Sequence, residues 1–105
     1  MGNKYSLGVD FGSLSARAAL FDVETGACAA SFGSEYEHGI IEESHPFTGA
    51  PLPPASAIQL PEDYIKALQQ SIEGVFEKSG IQKSDIIGMP VDFTSCSLMC
   101  VDKDY

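Results

Sequence analysis

From Tyr5 to Phe11 the odd positions Tyr5, Leu7, Val9 and Phe11 are apolar, while Ser6, Gly8 and Asp10 are small or polar. A period of two predicts a strand buried on one face, with Asp10 pointing away from the apolar side at its end. Beyond a Gly/Ser turn, a second strand continues through Ala18-Ala19-Leu20-Phe21, and Asp22-Val23-Glu24-Thr25-Gly26 has hairpin chemistry, Gly26 being free to adopt a positive φ. Residues 27–36 follow as the third strand of an antiparallel meander. From 37 to 59 the period is lost in a segment rich in Pro, Gly, Glu and Ser, which reads as a long solvated loop whose prolines limit its entropy. Pro61 then opens a helix where its missing N–H costs nothing, Glu62 and Asp63 suit the positive helix end, and Gly80 provides the stop. Ile65, Leu68, Ile72, Val75 and Phe76 fall at helical spacing and predict a face packed on the sheet.

The run from Ile86 to Phe93 predicts one more strand, parallel to an earlier one because it follows a helix, and covered on both faces because it is mostly apolar. Pro90 cannot donate to a ladder and asks for a bulge or an unpaired side. Residues 92–97 form a polar turn, 98–101 a further short strand, and Asp102-Lys103-Asp104 would begin a hairpin. The expected class is α/β: a three-stranded antiparallel meander followed by a helix and a parallel strand.

The candidate chemistry sits in the first turn. Gly12 can take backbone angles closed to other residues, and Gly12, Ser13 and Ser15 add no bulk, so N–H groups and hydroxyls there can approach phosphate oxygens closely. Asp10 beside such a cradle would suit Mg²⁺, which favours one or two carboxylates with phosphates and water. The same spacing also describes a plain hairpin whose turn Asp10 caps.

Composition narrows the partners. Fifteen acidic against six basic side chains give a net charge of −9, which argues against a nucleic-acid backbone or an anionic membrane surface. A neutral sugar is indifferent to that sign, whereas ATP would need Mg²⁺, backbone dipoles and Arg17. Cys28, Cys96 and Cys100 are odd in number and imply no disulfide framework, so reduced thiols in a cytoplasm fit best. Cys96 and Cys100 lack the neighbouring Cys or His that would complete a four-ligand metal site, since His38 and His45 lie far upstream. No signal peptide or apolar stretch long enough to span a bilayer is visible. Residues 1–6 match a myristoylation pattern, but Tyr5 and Ser6 are needed by the first strand, and one acyl chain without a basic patch binds membranes only marginally.

Asp10-Phe11-Gly12-Ser13-Leu14-Ser15-Ala16-Arg17 is similar to the first phosphate motif, D-x-G-[TS]-x-S-x-R, of the FGGY carbohydrate kinases, within the ribonuclease-H-like, actin-like ATPase superfamily. Residues 35–41 (Glu35-Tyr36-Glu37-His38-Gly39-Ile40-Ile41), 60–64, 91–97 and 101–104 narrow the resemblance to family members that act on L-ribulose. It implies that residues 1–105 are the incomplete N-terminal part of the first kinase domain, with 37–59 a long loop within it on a sugar-side or interdomain surface. It further implies transfer of the ATP γ-phosphoryl group to L-ribulose, giving the 5-phosphate in arabinose breakdown. In that scheme Asp10 holds Mg²⁺, Gly12, Ser13 and Ser15 line the phosphates, Arg17 offsets charge, and Thr94, Ser95 and Cys96 face the sugar. Glycerol-specific members carry an Arg-Glu pair at this last place, which disfavours glycerol here. Pro90 departs from the family pattern and puts local strand pairing in question. The catalytic base is expected beyond Tyr105, so none of Asp63, Asp85 or Asp92 takes that role and the chain alone should be inactive. Two other readings stay open: a non-catalytic domain that self-associates into a homo-oligomer through its unfinished sheet, and another actin-like sugar kinase or ATPase.

Overall fold

The alternating segments form the expected meander in the computed structural model, which describes residues 2–95 and 97–104. Strand β1 (Tyr5–Phe11) pairs antiparallel with β2 (Ser15–Asp22), and β2 pairs antiparallel with β3 (Cys28–Glu35). Leu7 and Val9 of β1, Ala16, Ala18 and Leu20 of β2, and Ala30 of β3 are buried. The intervening positions, including Asp10 and Arg17, fall on the opposite face. The β2–β3 turn is organised by Asp22, whose carboxylate accepts the Glu24 and Thr25 N–H groups at 2.8 and 3.3 Å, with Gly26 at φ 76°.

Helix α1 (Pro61–Ser79) covers the apolar face, with proline at its start and Gly80 closing it at φ 70° by donating to the Phe76 carbonyl. Its innermost side chains are mostly small: Ala67, Ser71 and Gly74 are buried with Val75, and the Ser71 hydroxyl donates to the Ala16 carbonyl at 3.3 Å. Small residues let the helix backbone approach the sheet closely, while Leu68, Ile72 and Phe76 pack beside them half-buried. Ile65, expected in the buried stripe, is instead 58% exposed. It lies two residues from Ala67, about 200° around the helix.

Asp63 lies in the first turn of α1 as expected and has a further partner there. It is only 3% exposed and accepts the His38 backbone N–H at 3.0 Å, with the His38 ring Nδ1 at 2.8 Å from its other oxygen. Burial pushes this carboxyl up, but hydrogen bonds and charge from His38 outweigh it and hold the group below the ordinary range. The start of the 37–59 loop is thereby fastened to the helix. The loop itself is an irregular hairpin, with antiparallel bridges at Ile41–Ile58 and Ser44–Pro51.

The strand expected over residues 86–93 is divided. After a 3₁₀ turn (Lys83–Asp85), β4 (Ile86–Gly88) and β5 (Val91–Phe93) both pair parallel with β1, with a register shift in the β4 pairing. The break falls at Met89-Pro90, where proline has no N–H to give the ladder although its carbonyl still accepts from Val9 at 3.0 Å. Nor is the run covered on both faces: Ile87, Met89, Val91 and Phe93 are exposed, because α1 lies mainly over β2 and β3. The short strand expected over 98–101 does not form, and Leu98 and Val101 are exposed. No helix is long and apolar enough to cross a membrane among the described residues.

Gly74 sets the depth of the helix. A Cβ there would collide with the Phe32 ring, with Cδ2 only 2.7 Å away. Gly74→Ala should therefore destabilise the chain by about 1–3 kcal/mol in urea unfolding, and a Phe32→Ala background should remove most of that cost.

Candidate functional site

The turn between β1 and β2 is held by its carbonyl groups. The Phe11 carbonyl accepts Thr94 N–H at 3.1 Å, Gly12 O accepts the Tyr36 hydroxyl at 2.7 Å, and Ser13 O accepts Gln59 Nε2 at 2.7 Å. Leu14 O accepts Tyr36 N–H at 3.0 Å, and Ser15 O accepts Gly12 N–H at 2.8 Å. Five consecutive carbonyls are thus engaged, whereas the N–H groups of Ser13 and Leu14 donate to nothing among the described residues. A turn with its acceptors tied and two donors free has the polarity of an anion cradle. Gly12 contributes by closeness rather than by unusual torsion: its φ is not positive, but a Cβ there would come within 3.1 Å of Ser15 O.

Three aromatic rings support the turn from below. Tyr64 lies 5.7 Å from Phe11 and 4.7 Å from Tyr36 between ring centroids, and its hydroxyl donates to Gln59 Oε1 at 2.6 Å. Burial first, then the neighbouring Tyr64 and Asp10, push the Tyr36 phenol up to about 12. It therefore remains a proton donor to Gly12 O throughout the neutral range.

On the open face, register places Arg17, Asp10 and Asp92 side by side across β2, β1 and β5. They line a shallow hollow of about 340 Å³ with Gly8, Ala19 and Phe21. Val9-Asp10-Phe11 and Val91-Asp92-Phe93 are the same tripeptide paired in parallel register, so the two carboxyls stand abreast. Hydrogen bonding from Asp10, then desolvation, then its like charge hold the Asp92 carboxyl above the ordinary range. The Arg17 guanidinium lies over Gly33, where a Cβ would meet it at 3.2 Å. Two hard carboxylates abreast beside free N–H donors fit a divalent cation accompanying a phosphate.

The expected sugar-facing residues begin where β5 ends, next to the turn. Thr94 is tied to Phe11 by its backbone, its hydroxyl lies 3.0 Å from that of Ser97, and Ser95 is exposed. Cys96 lies outside the described residues. Phe11, Tyr64, Phe93, Thr94, Ser97 and Met99 surround a second hollow of about 290 Å³. Asp92, Tyr36, Gln59 and Tyr64 were not among the expected site residues. The repeated Val-Asp-Phe was a visible signal for Asp92, while no spacing pattern joins the other three.

No protein-family model matches the chain. Among curated proteins, the ribulokinase of Geobacillus thermodenitrificans is 42% identical over 102 residues, covering 97% of this chain. That of Shouchella clausii is 40% identical over 100 residues, and that of Mycolicibacterium smegmatis 39% over 104, covering 95% and 96% of the chain. Over nearly its whole length the chain is similar to these ribulokinases. It spans 18% of the length of each of these ribulokinases. The likeness extends over nearly all of the chain, so the turn, Asp92 and the Thr94 edge all fall within the ribulokinase-like stretch.

The phenol of Tyr36 yields a pH test. Because its folded value is raised above the unfolded one near 10, its contribution is fully present below pH 10 and is lost as pH rises through about 12. Tyr36→Phe should cost about 0.5–1.5 kcal/mol at pH 8 in urea unfolding, and the gap to the parent chain should shrink as pH is raised through that window.

Proposed function

We propose that this chain is the amino-terminal part of the first domain of a ribulokinase-type FGGY carbohydrate kinase, with a ribonuclease-H-like, actin-like fold. The activity of the whole protein is then ATP-dependent phosphorylation of L-ribulose to L-ribulose 5-phosphate in the cytoplasm. The observation that carries this reading is the turn with two free N–H groups, set beside Asp10 in a ribulokinase-like sequence.

In this scheme Ser13 and Leu14 offer N–H groups to phosphate oxygens, Gly12 keeps the turn tight, and the Ser13 and Ser15 hydroxyls supplement those donors. Asp10 holds Mg²⁺ with Asp92 beside it; the ion, when bound, neutralises phosphate charge. Arg17 adds positive charge on the same face, and Thr94, Ser95 and Cys96 meet the sugar hydroxyls. The work of these residues is positioning and charge compensation. The base that takes the proton from the attacking sugar hydroxyl comes from outside residues 1–105, and the chain by itself does not turn over.

A second reading, a domain that self-associates, draws on the exposed Ile87, Met89, Val91 and Phe93 along β4, β5 and the link between them. It expects concentration-dependent sedimentation and no response to nucleotide.

Calorimetry separates the two. ATP should bind the chain more tightly with Mg²⁺ than without, and Asp10→Ala should remove at least tenfold of that gain while leaving the circular dichroism unchanged. Binding indifferent to Mg²⁺ and to Asp10→Ala would remove Asp10 from its role, and phosphorylation of L-ribulose by this chain alone would refute an external base.

A further inference from the structure

The peptide group is planar and trans, so a carbonyl and the N–H of the next residue point in opposite directions. Fixing one aims the other. Tyr36 grips the carbonyl of Gly12, and the N–H in that same peptide plane belongs to Ser13. Gln59 grips the carbonyl of Ser13, and the N–H in that plane belongs to Leu14. The two donors left free in the turn are the two whose peptide planes are held from behind by side chains.

Gln59 is itself fixed, since its amide nitrogen is committed to Ser13 and its amide oxygen to the Tyr64 hydroxyl at 2.6 Å. Tyr64 in turn is wedged between Phe11 and Tyr36. Gln59 ends the long loop, one residue before the helix cap Leu60, and the loop's beginning is latched to the helix by His38 and Asp63. Both ends of the excursion are therefore anchored around α1, and its last side chain reaches back to a turn 46 positions earlier.

Resting on the reading of this turn as a phosphate site, we propose that Tyr36 and Gln59 are positioning residues. Tyr36 aims the Ser13 N–H, and Gln59, held by Tyr64, aims the Leu14 N–H at the phosphate. The 37–59 loop is thus a support of the nucleotide site. A loop rearranged at its far end alters phosphate affinity by loosening Gln59.

The test is a titration of the ¹⁵N-labelled chain with magnesium tripolyphosphate, followed at individual amides. In the parent chain both Ser13 and Leu14 should shift. Gln59→Ala should weaken binding at least tenfold and abolish the Leu14 shift while Ser13 still responds at saturation; Tyr36→Phe should do the reverse. Gln59→Glu, which can accept from Tyr64 but cannot donate to Ser13 O, should behave like Gln59→Ala, and Tyr64→Phe should cause a smaller loss. Ser34→Ala, which removes a comparable exposed hydrogen bond to Gln70, should leave binding unchanged. Parental affinity and an intact Leu14 shift in folded Gln59→Ala would overturn the proposal while leaving the phosphate site standing. Should Gln59→Ala unfold, Tyr64→Phe decides, and parental behaviour there is equally fatal. If the parent chain itself gives no shift at either amide, the phosphate reading fails and the brace falls with it.

Discussion

One-sided burial is the constraint on which this molecule depends. Helix α1 covers one face of the meander, and the period of two along β1 and β2 sends every second side chain to the other. Leu7, Val9, Ala18 and Leu20 form the core with Val75, each large apolar side chain contributing roughly 1.5–3 kcal/mol on full burial. Asp10 and Arg17 reach open space for the same reason that their neighbours are buried. Slipping β1 by one residue would place the carboxylate under the helix and empty the site, so the core and the chemistry are specified by one register.

Around this frame, interactions distant in sequence converge on a few turn residues. Tyr36 follows β3, Gln59 ends the loop, Tyr64 lies in the first turn of α1 and Thr94 follows β5, yet all four reach the segment from Phe11 to Ser15 directly or through one partner. The turn is a meeting point of most of the chain. That convergence gives a short glycine-containing segment a single backbone geometry, which an isolated hairpin would lack.

The meander, the helix boundaries and the parallel approach of the last strands were legible from periodicity and from Pro61, Gly26 and Gly80. Three things were less so. Pro90 signalled a disturbance, but division into two short strands depends on how β1 accommodates a missing donor. Ile65 looked like core because a helical stripe of large apolar residues is persuasive, whereas the actual contact uses Ala67, Ser71 and Gly74, small residues that carry little hydropathy and permit close approach. Asp63 looked like a helix-end charge, and its burial against His38 follows from where the loop returns. In the site, the Asp10 turn was evident in local spacing, and Asp92 was foreshadowed by a repeated tripeptide. Tyr36, Gln59 and Tyr64 act through hydrogen bonds spanning up to 46 positions, which no local pattern encodes.

The aromatic support also gives the chain an intrinsic optical reporter. There is no tryptophan, and of four tyrosines two, Tyr36 and Tyr64, form the wedge beneath the turn. Their fluorescence is uncomplicated by indole emission, and the hydroxyl of each ring is bonded to the turn or to the residue that holds it, a contact to which phenol emission is sensitive. Light emitted by this protein therefore carries information about the geometry of its first turn without any attached dye.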